Sequence, residues 1–142
     1  MEIKILQAPD ITARLQEQLT PLYHQLNDQL RQLSLSEIME KAPQMDIVVA
    51  IENEELVGIA MMAKYKVISG HKGMIEDVVV SKDHRGKGIG RKLMEKLLEK
   101  AETENLDDVL LFSGHHRTAA ITLYKSLGFQ LKESGLYIKK YS

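Results

Sequence analysis

The order of apolar and polar positions divides the chain into a helical N-terminal part and a strand-rich remainder. In the first part, leucines recur about every four residues along one face, which predicts amphipathic helices packed against a core. These leucines are Leu15, Leu19, Leu22, Leu26, Leu30 and Leu33. Asp10 is expected to cap the first helix, and Thr20–Pro21 is expected to divide the stripe into two abutting helices.

Strand-like runs replace the helical period after residue 45. The runs Asp46–Ile51 and Leu56–Tyr65 are joined by the acidic turn Glu52–Glu55, which predicts an antiparallel hairpin. A second turn is predicted at Gly70–Gly73. The strand after it, Met74–Val80, is apolar on both faces at its end and is therefore expected to be central.

The remainder of the chain alternates helices with short strands. A helix is predicted from Ile89 onwards, after a basic loop, and a second one over Arg117–Leu127, closed by Gly128. A short buried strand is expected between these two helices, at Val109–Phe112. The last strands are predicted at Phe129–Leu131 and Leu136–Tyr141.

Composition limits the classes of protein to consider. With 142 residues, 44% hydrophobic and 27% charged, the chain fits one soluble domain, 1–142. The absence of cysteine excludes disulfides, thiolate metal sites and a cysteine nucleophile. No run approaches 18 apolar residues and the start lacks the apolar region of a signal peptide, so we expect a cytoplasmic protein that makes no membrane contact.

The net charge of −1 hides an uneven distribution. Residues 1–57 carry 4 basic and 10 acidic side chains, whereas residues 58–142 carry 15 basic and 10 acidic ones. The excess is concentrated in Lys82–Lys92, whose one acidic residue is Asp83, and such a cluster attracts anions. Nucleic acid is not the expected partner, because the chain lacks a basic surface interleaved with aromatic residues.

The basic segment contains a glycine-rich loop between a strand and a helix, Arg85-Gly86-Lys87-Gly88-Ile89-Gly90. Glycines let a ligand approach the backbone, and the unpaired N–H groups at a helix start bind phosphate. A Walker loop needs Lys and then Ser or Thr after its last glycine, whereas Arg91 and Lys92 follow here. A Rossmann dinucleotide site is also disfavoured, because the loop follows several antiparallel strands.

Two motifs together resemble the GNAT superfamily of N-acetyltransferases. Arg85-x-x-Gly88-x-Gly90 matches its Arg/Gln-x-x-Gly-x-Gly/Ala signature. The segment Ala120–Phe129 is similar to its second hallmark, a helix ending in Leu-Tyr-x-x-x-Gly-Phe. The motifs are separated by a helix and a strand, in the family's order, and the resemblance covers roughly residues 46 to 141.

This resemblance implies a fold and a co-substrate. The expected fold is α/β (α+β), with a mixed, mostly antiparallel sheet of about six to seven strands, splayed at its centre and flanked by helices on both faces. Acetyl-CoA would be the co-substrate, with no metal. Loop amides would hold its pyrophosphate, basic side chains would assist, and strand backbone would pair with its pantetheine arm. The residues assigned by position are Val78, Val79, Val80, Arg85, Gly86, Lys87, Gly88, Ile89, Gly90 and Arg91.

Direct attack of a primary amine on a thioester requires two proton transfers. The leaving thiolate needs a proton, and a phenol with a pKa near about 10 can donate one. The family's tyrosine corresponds to Tyr124, for which packing at its helix end is the alternative. Glu76 and Asp77 interrupt an apolar strand, and neighbours in a strand face opposite sides. Glu76 is the candidate base, and Asp77 is interpreted as a structural hydrogen-bond acceptor.

Several residues near the motifs have more than one interpretation. Arg117 stands where many family members have a cofactor-binding asparagine. It could contact a coenzyme A phosphate or an acidic substrate group, or be an ordinary exposed residue. His115 and His116 are adjacent, which is poor spacing for one metal ion, so a surface turn is favoured over a metal or proton-relay role. His84 is expected to be solvated.

The sequence leaves the acceptor open. A non-catalytic acyl-CoA-binding or regulatory module is the alternative to an enzyme. For an enzyme, the acidic N-terminal third favours a cationic amine, such as a polyamine, an aminoglycoside or a lysine side chain of a protein. The resemblance implies that substrate choice depends on the N-terminal helices, the 66–73 turn and the last strands. A homodimer through a sheet edge or the C-terminal strand is a further hypothesis.

Overall fold

Alternating apolar side chains build a five-stranded sheet in the N-terminal part of the chain. The computed structural model describes residues 1–26, 28–29, 31–41 and 44–141, which divide into two units, Met1–Phe112 and Ser113–Ser142. The strands lie in the order in which they occur along the chain: β1 (Glu2–Ile5), β2 (Met45–Glu52), β3 (Glu55–Val67), β4 (Gly70–Val80) and β5 (Asp108–Leu111). β1 to β4 are antiparallel neighbours, and β5 runs parallel to β4.

Helices cover both faces of this sheet. They are α1 (Ala13–His24), α2 (Leu35–Lys41) and α3 (Ile89–Thr103), and the second unit contains α4 (Thr118–Ser126). Short 3-10 helices lie at Ala8–Asp10 and Lys82–His84. Leucines of α1 and α2 pack with Val49, Ile59 and Met61 on one face of the sheet. On the other face, Ile89 and Leu93 of α3 lie over Gly58.

The predicted pair of N-terminal helices is wrong, because α1 is one helix with Pro21 inside it. Three of its leucines are buried, and burying a continuous stripe outweighs the hydrogen bond that a proline removes. The cap is Thr12, whose Oγ1 accepts a hydrogen bond from the Leu15 amide at 3.1 Å. Asp10 instead accepts from the Gln7 amide at 2.8 Å. Leu30 of the predicted stripe lies outside the described residues.

The predicted β2–β3 hairpin is confirmed, and both residues at its tip have positive φ angles. Asn53 and Glu54 have φ of 50° and 62°, as in the type I′ turns that suit the twist of a hairpin. The turn predicted at Gly70–Gly73 is wrong, because β4 already begins at Gly70. Gly73 lies in the ladder, where an added Cβ would be 2.8 Å from the Met62 sulfur, so this glycine serves packing.

The number of strands is the main correction to the predicted fold, since the described residues form five strands and not six or seven. No strand is assigned among the described residues after Leu111, although strands were predicted at Phe129–Leu131 and Leu136–Tyr141. Leu131 and Tyr137 are 83% and 95% exposed. A strand needs a paired and packed neighbour, and β-forming side chains alone do not supply one. The predicted strand at Val109–Phe112 is β5, but it is partly buried and Phe112 is exposed.

The start of α3 approaches the sheet closely because β3 has a glycine at the contact. A Cβ on Gly58 would lie 3.1 Å from both Ile89 Cγ2 and Leu93 Cδ1. Gly58 is also the β3 partner of Val80, the last residue of β4. This contact therefore brings the first turn of α3 close to the end of β4, with the glycine-rich loop between them.

A buried ion cluster joins the sheet to the end of α3. The Lys64 ammonium lies 2.9 Å from Asp46 Oδ2 and 2.7 Å from Glu104 Oε2. The Lys64 and Asp46 side chains are 7% and 9% exposed. Burial lowers the pKa of Lys64, but hydrogen bonds and charge from Glu104 and Asp46 outweigh burial, so the pKa lies above its ordinary value. The ammonium thus remains charged inside the protein.

We expect Lys64→Met to lower the free energy of unfolding by about 3 to 5 kcal/mol, because Asp46 would remain buried without a counter-charge. Urea unfolding monitored by circular dichroism measures the loss. Lys66→Met, at an exposed position of the same strand, is the matched control and is expected to change stability by less than about 0.5 kcal/mol. Equal stability of the two variants would contradict a structural role for the cluster.

Candidate active site

A β-bulge interrupts the pairing of β3 with β4. Ile59 pairs with Val79 and Met61 pairs with Glu76, so one residue of β3 lies opposite two residues of β4, Asp77 and Val78. Asp77 has a φ of +49°, in the left-handed region. A bulge of this kind bends the strand and redirects its side chains, and bulges are frequent beside active sites.

Beyond the bulge, the backbone of β4 has a free side. β5 pairs with β4 only over Lys72–Ile75, so within the described part of the first unit no strand pairs with Glu76–Val80 from that side. All three predicted valines, Val78 to Val80, lie on this edge. Extended ligands bind such edges through backbone hydrogen bonds. The edge therefore fits the amide-containing pantetheine arm expected from the sequence.

The glycine-rich loop follows this edge directly. Gly86 and Gly88 have φ of 79° and 77°. Gly88 is the N-cap of α3, and as a glycine it has no side chain to accept a hydrogen bond from the first amides of the helix. The first i to i−4 bond of the helix runs from the Lys92 amide to the Gly88 carbonyl at 3.1 Å. The amides of Ile89 and Gly90 precede it and have no intrahelical partner. They form the kind of helix start that binds pyrophosphate.

The space outside the loop is open. A Cβ added at Gly86 or Gly88 would meet no atom within 4 Å, so a ligand can reach the loop backbone there. Lys87 and Arg91 are exposed, and the Arg85 Nε donates a hydrogen bond to the Val80 carbonyl at 3.3 Å. The unpaired edge of β4 and the open loop are thus contiguous, while the side chains of Val79 and Ile89 are buried in the core.

The base of the loop is tied to the rest of the first unit. The Ser81 amide donates to the Val57 carbonyl, and the Lys82 amide donates to Gln25 Oε1, both at 2.8 Å. His84, which was expected to be solvated, is instead half-buried, with Nε2 3.5 Å from Glu52 Oε2. The loop is therefore held at its N-terminal end by α1, β2 and β3.

We expect Gly88→Ala to weaken acetyl-CoA binding by about tenfold, because alanine is strained at this positive φ and the neighbouring amides would shift. Isothermal titration with acetyl-CoA measures the effect. The matched control is Gly128→Ala, also at a positive φ (+96°) in open space, which should cost stability without weakening binding. If Gly88→Ala bound acetyl-CoA with unchanged affinity, the assignment of the glycine-rich loop to acetyl-CoA binding would be contradicted.

Two adjacent carboxylates lie on the face of the sheet covered by α1. Glu76 is the partner of the core residue Met61, and cross-strand partners share a face. Asp77 reaches the same side, because its Oδ1 accepts a hydrogen bond from the Tyr23 hydroxyl of α1 at 3.1 Å. The expectation that neighbouring strand residues face opposite sides fails here because of the bulge.

Proximity of these groups shifts their proton affinities. Burial, and then the charge of Asp77, raises the pKa of Glu76. Burial, followed by the charge of Asp77 and the hydrogen bond to it, raises the pKa of Tyr23 to about 12. Among the described residues, no cation lies within ion-pair distance of either carboxylate. This corner of the first unit is therefore strongly acidic.

The second unit contains the other candidate residues, Tyr124 and Arg117. Tyr124 lies on α4, is 9% exposed, and packs edge-to-face against Phe129 with ring centroids 6.1 Å apart. Burial raises the pKa of Tyr124, and the charge of Arg117 opposes that rise. Arg117 is exposed and is the N-cap of α4. The phenol thus stays protonated at neutral pH.

Two adjacent histidines lie shortly before α4. His115 and His116 are both exposed in a turn, in agreement with the surface turn inferred from their spacing. Over the described ranges, no group of three or more His, Asp or Glu side chains is placed to hold a metal ion. Within the same residues, no helix is long and apolar enough to cross a membrane.

A family model confirms the resemblance seen in the sequence. The model for the acetyltransferase (GNAT) family matches residues 9–129, which includes both motifs and most of both units. The chain belongs to the GNAT acetyltransferase family. The match also extends to α1 and α2, which the sequence motifs did not reach.

Relatives with known names match part of the chain. The L-methionine sulfoximine/L-methionine sulfone acetyltransferase of Pseudomonas paraeruginosa is 32% identical over 78 residues, 54% of this chain and 45% of that protein. The L-amino acid N-acyltransferase MnaT of Escherichia coli is 31% identical over 84 residues, 58% of this chain and 49% of that protein. The chain thus spans about half the length of these curated relatives.

Solved structures match along nearly the whole chain. The glucosamine-6-phosphate N-acetyltransferase of Arabidopsis thaliana superposes with a TM-score of 0.79, covering 99% of this chain and 98% of that one, at 23% identity. At this identity the likeness shows the fold alone. It agrees with the architecture described above for the GNAT family.

Proposed function

We propose that this GNAT protein transfers the acetyl group of acetyl-CoA to a primary amine by direct attack in a ternary complex. The observation that carries this proposal is the continuous surface formed by the unpaired edge of β4 and the open glycine-rich loop. A thioester whose pantetheine arm paired with Val78–Val80 would end beside the bulge. The carboxylates Glu76 and Asp77 lie at that same place on β4.

Glu76 is the proposed base. An amine must lose its proton before it attacks a thioester, and a carboxylate with a raised pKa is a stronger proton acceptor than an ordinary one. Burial and Asp77 raise the pKa of Glu76, while its side chain stays exposed enough to meet a substrate or a water. The Tyr23 hydroxyl donates a hydrogen bond to Asp77 Oδ1 at 3.1 Å. This contact favours a positioning role for Asp77 rather than the role of the base.

Tyr124 is the proposed acid. As the amine nitrogen forms a bond to the acetyl carbon, the carbon–sulfur bond breaks, and the thiolate takes a proton from the phenol. Burial keeps this phenol protonated at neutral pH, so a proton is available. Arg117, whose charge acts on the same hydroxyl, is proposed to hold a coenzyme A phosphate or an acidic substrate group. The chain has no cysteine, which favours direct transfer over a cysteinyl acyl-enzyme.

The names of the two curated relatives support a small-molecule acceptor, since both describe acylation of amino acids or their derivatives. The proposal is tested by incubating the protein with acetyl-CoA and a library of primary amines, with detection of free coenzyme A and of acetylated products by mass spectrometry. Formation of an acetylated amine supports it. Tight acetyl-CoA binding without any product would instead indicate a non-catalytic acyl-CoA-binding module.

A further inference from the structure

A cavity of about 170 Å³ lies between α1, the segment around α2, and the bulged part of the sheet. Most of its wall is apolar, with Leu19, Leu35, Ile38, Ile59 and Met61 among the lining side chains. An apolar cavity of about 150 Å³ holds a molecule the size of benzene. The cavity therefore suits a small apolar group of roughly six to eight heavy atoms, and an aminoglycoside is too large for it.

One part of the wall is acidic. Asp77 and Tyr23 both line the cavity, and the hydrogen bond between them uses only one carboxylate oxygen, Oδ1. Asp77 Oδ2 has no hydrogen-bond partner among the described residues, and Glu76 adds a second negative charge beside it. A primary ammonium group supplies both the hydrogen bond and the positive charge that these carboxylates lack.

Two polar side chains of the 31–38 segment also line the cavity, Arg31 and Gln32. The Gln32 amide nitrogen donates to the Thr20 carbonyl at 3.3 Å, whereas its Oε1 is buried without a hydrogen-bond partner. A buried acceptor without a donor is unfavourable. Arg31 is exposed and has no ion pair among the described residues, which leaves its guanidinium available to a carboxylate.

We infer that this cavity binds the acceptor, and that the acceptor is a small apolar amine that also carries a carboxylate, such as an apolar α-amino acid. Its ammonium group lies against Asp77, its apolar group fills the leucine- and isoleucine-lined cavity, and its carboxylate pairs with Arg31. This inference rests on the proposed acetyl transfer. It replaces the cationic acceptor favoured by the acidic N-terminal third, because Arg31 would repel the second cation of a polyamine.

A second cavity in the same unit provides a contrast. It has a similar volume, about 180 Å³, and is lined by charged side chains of β1, α1 and the β2–β3 turn. Its charges pair with one another: Lys4 lies 3.4 Å from Asp10, and Arg14 lies 3.7 Å from Glu54. Those charges already have partners, so that cavity lacks the open carboxylate and the unpaired guanidinium of the first.

Binding of L-leucine to the coenzyme A complex tests the inference without requiring turnover. Isothermal titration should show L-leucine binding at least about tenfold more tightly than leucinamide, which lacks the carboxylate, or N-acetyl-L-leucine, which lacks the ammonium group. Arg31→Gln should weaken L-leucine binding by about tenfold and leave leucinamide unchanged, since a charge-assisted contact is removed. Arg14→Gln, an exposed arginine outside the cavity, is the matched control and should bind both as the unmodified protein does.

Asp77→Asn provides a second variant and should weaken both L-leucine and leucinamide. Equal affinity for L-leucine and leucinamide, tighter binding of spermidine, or an unchanged Arg31→Gln variant would each overturn the inference. These outcomes are separable from failure of the proposed function. Acetylation of other amines without leucine binding refutes only the assignment of the acceptor class. Leucine binding in the expected pattern without any acetylated product refutes only the acetyl transfer.

Discussion

Replacement of Tyr124 with phenylalanine is expected to lower kcat for acetyl transfer by about a hundredfold, within the range typical of general acid catalysis. The ring and its packing against Phe129 are kept, so the loss isolates the hydroxyl proton. The affinity for acetyl-CoA, measured by isothermal titration, should be unchanged. A stopped-flow assay of coenzyme A release at saturating amine measures kcat.

Two controls separate this role from a structural one. Tyr65→Phe changes a tyrosine that is 36% exposed on β3 and should leave kcat unaltered. An acetyl donor thioester with a better leaving thiol than coenzyme A should recover much of the rate in Tyr124→Phe, because such a thiolate leaves without protonation. A Tyr124→Phe variant with the rate of the unmodified protein would exclude the phenol as the acid.

The second large effect is expected at Glu76. Glu76→Gln should lower kcat/KM at neutral pH by about a hundredfold, because glutamine cannot accept the amine proton. A base works only when deprotonated, so in the unmodified protein kcat/KM should fall as pH drops through the pKa of Glu76. Burial and Asp77 raise that pKa, so the fall should begin at a higher pH than an ordinary glutamate would give.

The pH profile provides the sharper readout. Asp77→Asn removes the neighbouring charge that raises the pKa of Glu76. In this variant the acidic limb of the profile, where kcat/KM falls as the pH drops, should therefore move to lower pH. In Glu76→Gln the limb assigned to this residue should disappear. The profiles are to be recorded with the same amine for all three proteins, so that ionisation of the acceptor contributes equally to each. An acidic limb that is identical in all three proteins would show that another group is the base.

The surface proposed to bind the cofactor can be identified from the sequence because its parts are local. The glycines of the loop, the start of α3 and the end of β4 follow one another in the chain, and each has a distinct sequence signal. Gly86 and Gly88 adopt the positive φ angles for which glycine is suited. The helix that follows has a clear apolar stripe. Local conformational preference and tertiary packing agree over this segment.

The cavity proposed to bind the acceptor is not predictable from the sequence, because it depends on one backbone irregularity and on contacts between distant segments. The alternation of a regular strand placed Glu76 and Asp77 on opposite faces, and the left-handed conformation of Asp77 brings both toward α1. Tyr23 lies outside the predicted leucine stripe and has no sequence signal of its own, since its partner Asp77 is 54 residues away in the chain. Arg31 and Gln32 carried no signal at all.

The ion cluster and the C-terminal segment also show that contacts between distant parts of the chain cannot be predicted from local sequence. Lys64 and Asp46 are unremarkable charged residues in the sequence, and only the β2–β3 register and the end of α3 bring them together. Conversely, the alternating apolar residues after Leu136 predict a strand, but a strand forms only where a neighbour pairs with it. In both cases the deciding interaction is non-local.

The most direct test of the proposed acetyl transfer combines two measurements on one preparation: acetyl-CoA binding by isothermal titration, and acetylation of L-leucine by mass spectrometry with carbon-13-labelled acetyl-CoA. Saturable binding that Gly88→Ala weakens, together with labelled acetyl-leucine that Tyr124→Phe suppresses, is the expected result. Saturable binding without a labelled product from leucine or any other primary amine would contradict the enzymatic function and identify a module that only binds acyl-CoA.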